Sequence, residues 1–333
     1  MVDETLDEDG FEDDLEEEWH TEPLDPEFAK GEAIAQYYLQ DAKALLASAK
    51  LEPDWLVPYA IPSGAVTFIV GKPGSSKSWL GYDLVCAVTQ DRPWLNLGTP
   101  VGRNATALVL NFDNPGSECA RRFLRLGLQP QDRALFHSLG AHRPPEPLPQ
   151  ILQLPGAFEP LDSMVYAFRP DIILVDSLRQ AHTSDESSSQ EMAQVMSQLR
   201  RFAAYGAAVV VIHHTRKGDG EMRGSTEIEA AADAIIDVAN GVATWRKTRG
   251  WEMPESTAIF TLVDEGDSTE VRGGQSLARL LEAGPLDRTS IGNELGLKQQ
   301  AVKSMVDKAL EKGLCIEVRG PNGGRLIGLA RRG

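Results

Sequence analysis

The chain has 333 residues, 42% of them hydrophobic, enough for a packed core and suggestive of two domains. No stretch nears the roughly 20 apolar residues that span a bilayer, and the acidic N-terminus lacks the basic-then-apolar order of a signal peptide, so no membrane partner is expected. Cys86, Cys119 and Cys315 lie far apart without paired spacing, so neither a disulfide framework nor a zinc site is indicated, and a reducing, cytoplasmic setting is the simple inference.

The net charge of −16 argues at first against nucleic acid, but its distribution changes that. Residues 1–30 hold 14 Asp/Glu and one Lys, so they carry −13 and the other 303 residues carry −3. Like charges and few apolar residues predict a disordered tail over 1–30. It is either a solubilising segment or one that competes with DNA for a basic surface or docks on a basic replication or recombination partner. At the other end, residues 276–333 hold ten Lys/Arg against six Asp/Glu, where a DNA-contacting surface would need them.

Ile34, Tyr38, Ala42, Leu45 and Ala49 recur at spacings of three and four, which predicts a helix over 31–50. A Pro-containing connector follows over 51–63. Strands and helices then alternate: strand 65–70, helix 78–88, strand 106–111, helix 117–126, strand 171–175, helix 190–205 and strand 208–212. The near-continuous apolar runs DIILV and AVVVI suit a parallel sheet covered on both faces. Segments 234–238, 243–247 and 258–262 extend that sheet. Beyond 276 the pattern changes to helices over 277–282, 289–295 and 298–312, the second capped by Thr289 or Ser290 and closed by Gly296. Strands at 315–319 and 326–330 flank the turn GPNGGR. Three helices and a β-hairpin describe a winged helix.

The segment from Gly71 to Ser78, GKPGSSKS, fits G-x-x-x-x-G-K-[ST] except that Ser76 replaces the second Gly. Gly71, Pro73, Gly74, Ser75, Ser76, Lys77 and Ser78 make the nucleotide-binding loop, whose successive backbone N–H groups, with the following helix N-terminus, are placed to bind phosphate oxygens. Lys77 would reach the β- and γ-phosphates of ATP, and the Ser78 hydroxyl would ligate Mg²⁺. Asp176 ends the strand DIILV and suits the Mg²⁺ water shell, or simply caps the next loop. Asp113, after TALVLNF, either orients and deprotonates the attacking water or forms an Asx-turn before the next helix.

His213 and His214 end the AVVVI strand. Adjacent strand residues face opposite ways, so a phosphate-sensing role for one of them is favoured over a metal pair. The loop from Arg216 and Lys217 to Arg223 is basic and Gly-containing, suited to a DNA backbone or to plain solvation. Lys247 and Arg249, at a late strand end, are of a type that can stabilise transferring phosphate charge across a subunit boundary, or are only a charged strand end. Lys298, Gln300 and Lys303 open the last helix, with side chains suited to phosphates and base edges. A protein-interaction winged helix is the competing reading.

Together these segments resemble the RecA/DnaB-like ATPases, and most of all the plasmid and phage RepA-type hexameric helicases. The resemblance is carried by SGAVTFIVGKPGSSKSWL, VLNFDNP, DIILVDSL, VIHHTRKG and RGS followed by AAD, across roughly residues 50–265. It implies a RecA-like, mostly parallel sheet with helices on both faces over 61–270; with the helix and hairpin pattern beyond it, the expected fold is α/β, followed by a small winged-helix domain over 276–333. The acidic tail over 1–30 and a linker helix and connector over 31–60 precede them. It also implies catalytic roles for Lys77, Asp113 (where the family usually has Glu), Asp176, His214 as the polar sensor, and Lys247 and Arg249 as the K-x-R pair reaching a neighbouring subunit. The loop Arg216–Arg223 would face a central channel, and the chain would form a homo-oligomer, a hexameric ring. The expected function is an ATP-driven motor on single-stranded DNA, a replicative helicase of a mobile element that also meets duplex DNA through the winged helix. The alternatives are a non-unwinding DNA-binding ATPase that uses ATP as an assembly switch, and a transcriptional or copy-number regulator.

Overall fold

The computed structural model describes residues 42–48, 50, 52–100, 105–138, 155–215, 226–251, 253, 257–311, 313–320 and 323–330. The chain divides into two units, Met1–Leu51 and Glu52–Gly333. In the first, the described helix is α1 (Ala42–Ser48), inside the span expected to be helical. The acidic tail lies outside the described residues.

The second unit opens with a two-stranded antiparallel hairpin, β1 (Trp55–Val57) and β2 (Ile61–Pro62), within the segment read as a plain connector. Strand β3 (Val66–Gly71) leads into helix α2 (Lys77–Thr89). There follow β4 (Ala107–Asn111), α3 (Gly116–Arg125), β5 (Ala134–Ser138), α4 (Pro155–Phe168), β6 (Ile172–Asp176), α5 (Leu178–Ala181), α6 (Ser189–Ala204) and β7 (Ala208–His214). Helix α7 (Thr226–Ala231) and strands β8 (Ala234–Ala239), β9 (Val242–Thr248), β10 (Thr257–Glu265) and β11 (Ser268–Gly273) complete the sheet.

The nine strands lie in the order β11-β10-β9-β8-β3-β7-β6-β4-β5. Those from β8 to β5 are mutually parallel, and β9, β10 and β11 add an antiparallel meander. Successive β7 residues go to opposite faces: Val210 and Ile212 join one apolar cluster with Leu80 and Leu84 of α2, Val209 and Val211 a second with Leu199 and Phe202 of α6. Both faces are covered, which is why these strands read as unbroken apolar runs. β3 is therefore central, and its C-terminal end opens where β7 and β6 also end, the usual place for a ligand on a parallel sheet.

Beyond the sheet come α8 (Leu277–Leu281), α9 (Arg288–Leu295), α10 (Gln299–Glu311) and the antiparallel hairpin of β12 (Cys315–Arg319) and β13 (Arg325–Leu329). Asp287, rather than Thr289 or Ser290, caps α9. Its carboxylate accepts from the N–H groups of Thr289 at 2.8 Å and Ser290 at 3.0 Å, so the shorter hydroxyls are not needed there. These elements share a third cluster built on Ile291, Val302, Met305 and Ile327, which also takes in Ile259 of β10. The three cysteines are free and buried. No helix among the described residues is long and apolar enough to cross a membrane.

Candidate nucleotide site

The loop between β3 and α2 is tightly built. A Cβ on Gly71 would stand 2.4 Å from the carbonyl oxygen of Val238 and 2.7 Å from Oγ of Ser75, so only glycine fits. Gly74 has φ 78°, and Ser76 has φ 70° and ψ 19°. Ser76 thus holds the left-handed conformation that the motif's usual glycine takes freely, at a cost of about 1–2 kcal/mol for an L-residue.

Lys77 is 4% exposed and its Nζ donates to the carbonyl oxygen of Lys72 at 2.8 Å. Burial holds its pKa below the ordinary lysine value, while the charges of Asp176 and Asp113 act the other way. Its ammonium is therefore folded back over the loop, where an incoming phosphate would replace the Lys72 carbonyl as its partner.

Asp176, at the end of β6, is 1% exposed. Its Oδ2 accepts from the Tyr82 hydroxyl at 2.8 Å, and it is also hydrogen-bonded by the Ser78 side chain. Burial pushes its pKa above the carboxylate range, against those two hydrogen bonds. Its Oδ1 is buried with no hydrogen-bond partner. A buried carboxylate oxygen left open beside a hydroxyl is the hard-oxygen donor set that Mg²⁺ takes, so the residues fit that ion.

The ends of β4 and β6 are tied together. The N–H groups of Phe112 and Asp113 both donate to the Asp176 carbonyl oxygen, at 2.6 and 3.1 Å. The turn after β4 is made by Asn111, whose Nδ2 donates to Asn114 O at 2.8 Å and whose Oδ1 accepts from Asn114 N at 3.2 Å. Asp113 is left exposed, with its charge felt by both Lys77 and Asp176.

His213 and His214 face opposite ways, as the strand period requires. His213 is fully buried, edge-on to Phe68. His214 is partly exposed and pairs in register with Gly71, and the next residue, Thr215, donates its N–H to Gly71 O at 3.2 Å. The end of β7 is therefore coupled directly to the phosphate loop. Among the described residues no group of three His, Cys, Asp or Glu is arranged to hold a metal ion.

Lys247 and Arg249 cover the C-terminal end of α7. Lys247 Nζ donates to Glu229 O at 2.6 Å, Arg249 Nη2 to Ala230 O at 2.6 Å, and Arg249 pairs with Asp233 at 3.4 Å. These are carbonyls that a helix end leaves unsatisfied. Arg216, Lys217 and Arg223 lie outside the described residues. Lys298 sits just ahead of α10, its carbonyl accepting from Ala301 and Val302. Lys303 lines a cleft beside Asp307 and Glu317, which pair with Arg288 at 2.7 Å and Arg325 at 3.5 Å. Gln300 lines both that cleft and a larger one beside the phosphate loop.

Three contributors escaped sequence reasoning. Tyr82 lies four residues after Ser78, on the same helix face, so its spacing was a usable signal. Asn111 was hidden in an apolar strand run. Asp237, at the end of β8, carries no local motif and reaches the loop's cleft only through strand order.

The fold and loop define a RecA-like P-loop ATPase, and the AAA domain family matches residues 36–220, more than half of the chain. The chain belongs to that family. Among curated proteins it is similar to the DNA repair protein RadA of Haemophilus influenzae, 27% identical over an alignment of 213 positions that covers 62% of this chain and 40% of that protein. The chain thus spans less than half the length of this relative.

Proposed function

We propose that the chain is a DNA-dependent ATPase that works as a ring-forming motor on single-stranded DNA, in the manner of a replicative helicase. The observation that carries the ATPase part is the convergence of Lys77, after β3, with Asp113 and Asp176 at the joined ends of β4 and β6. The amides of the loop and the ammonium of Lys77 hold the phosphates. Asp113, exposed at the mouth, accepts the proton of the attacking water at its carboxylate. Asp176 and Ser78 would hold Mg²⁺, which when bound neutralises charge on the phosphate oxygens. His214, in register with Gly71, senses the terminal phosphate from the β7 end.

The ring, the channel loop Arg216–Arg223 and the reach of Lys247 and Arg249 into a neighbouring subunit belong to this reading. So do a C-terminal winged helix with Lys298 and Lys303 on DNA, and a protein partner for the acidic tail. The basic balance of residues 276–333 supports the DNA contact. The similarity to a DNA repair protein favours a second reading, a recombination or repair ATPase that assembles on DNA without unwinding it.

Hydrolysis measured with and without single-stranded DNA tests the shared part: a rate unaffected by DNA and by Lys77→Ala would sink it. A strand-displacement assay separates the two readings, since unwinding supports the motor and DNA-stimulated hydrolysis without unwinding supports the repair ATPase.

A further inference from the structure

The cleft beside the phosphate loop holds about 850 Å³, more than a triphosphate needs and within the range of small-molecule sites. One wall is the loop from Gly71 to Ser76. The floor is the end of β8 and the turn into β9, Asp237 to Gly241. A further wall is α10, which presents Gln300, Ser304 and Lys308 to the cleft. These three fall at i, i+4 and i+8, one stripe of the helix, while Val302, Met305 and Val306 pack into its own core.

The floor and this wall are held in place. Gly241 has φ 76°, and a Cβ there would stand 2.8 Å from Phe260 O and 3.8 Å from Leu297, just ahead of α10. Ile259 of β10 is buried in the same cluster as Val302 and Met305. The polar stripe therefore faces the loop as part of one packed unit.

We propose that Gln300, Ser304 and Lys308 receive the base and ribose of the nucleotide whose phosphates lie on the loop. This rests on the reading of Gly71–Ser78 as an ATP site. Gln300 presents both an amide donor and an acceptor, the pair an adenine edge asks for. Asp237 and Asn240, on the floor, supply acceptors for ribose hydroxyls, and Lys308 adds a cation whose charge is felt by Asp237. The C-terminal helices are then part of the nucleotide site, and Gln300 is a nucleotide contact rather than a DNA contact.

The test is calorimetric titration of the full chain with ATP and, separately, with inorganic tripolyphosphate, which engages the loop alone. The double variant Gln300→Ala/Lys308→Ala is expected to bind ATP about ten-fold more weakly, as loss of one or two polar contacts gives. Its affinity for tripolyphosphate should stay within about two-fold, the scatter of such small effects. Ser304→Tyr, at an exposed position outside the apolar core, should fill the cleft and produce the same split. Variants that bind ATP like the unaltered chain, or that lose ATP and tripolyphosphate equally, overturn the proposal. An unaltered chain that binds neither ligand overturns the reading of the loop itself, a different failure.

Discussion

The hydroxyl of Tyr82 donates to Oδ2 of Asp176 at 2.8 Å, joining the second turn of the helix behind the phosphate loop to the end of β6. The ring also stacks on Phe123 with centroids 4.6 Å apart. Tyr82→Phe keeps the stack and deletes the hydrogen bond. It should lower stability by about 1–2 kcal/mol, because the bond is buried and its acceptor is a carboxyl. Urea unfolding with an unchanged m-value measures that directly, and Mg²⁺-dependent hydrolysis should weaken as Asp176 loses its orienting donor.

Asp176 itself costs the apo fold stability at neutral pH. Burial raises its pKa in the folded chain above the unfolded value, so the folded chain binds the proton more tightly. Its contribution is most favourable below the unfolded carboxylate value and is lost as pH rises through the raised one. Asp176→Asn should therefore melt higher than the unaltered chain at pH 7.5 in EDTA, and the gap should narrow towards pH 4. The same variant should lose hydrolysis and the stabilisation that Mg²⁺ with ATP confers. Melting curves at the two pH values, with and without the metal, check both halves.

Ser76 at φ 70° is the strained point of the loop. Ser76→Gly should relieve about 1 kcal/mol, partly offset by the extra freedom of glycine in the unfolded chain. The midpoint of denaturation should rise slightly without loss of ATP binding. Ser76→Val, with a branched Cβ in the same conformation, should fall well below both.

Asp113 is exposed beside Lys77 and Asp176, while Asn111 makes the turn. Asp113→Ala should leave stability within about 0.5 kcal/mol, as surface changes do. It should lower kcat about 10²–10⁴-fold with little change in ATP affinity, the effect of removing a general base. Asp113→Glu should retain far more activity than the alanine variant. Steady-state kinetics beside binding titrations distinguish these outcomes.

Lys247 and Arg249 satisfy carbonyls at the end of α7 within the chain. If they also act on a neighbour's nucleotide, Arg249→Ala should abolish hydrolysis while costing only about 1 kcal/mol of stability. Mixing inactive Arg249→Ala with inactive Lys77→Ala should then restore part of the activity, since some interfaces pair an intact loop with an intact arginine. Rates of the mixture that equal the sum of the two inactive variants would show that no such sharing occurs.

Much of this site was readable from the order of residues alone. Gly71, Lys77, Ser78 and Asp176 sit in short segments whose chemistry is local: a strand end, a glycine loop, a helix start. The alternation of apolar runs and helical periods also determined the α/β class, because a strand buried on both faces must be apolar throughout. Strand order was not local. Only the folded sheet brings Asp113 against Asp176, sets His214 in register with Gly71, and turns Lys247 and Arg249 onto α7. The last helix shows the limit most plainly. Its polar residues suit DNA by type, but spacing tells only which side chains share a face, not what that face meets. Packing around Ile259 turned Gln300, Ser304 and Lys308 towards the phosphate loop, a long-range contact that no periodicity encodes.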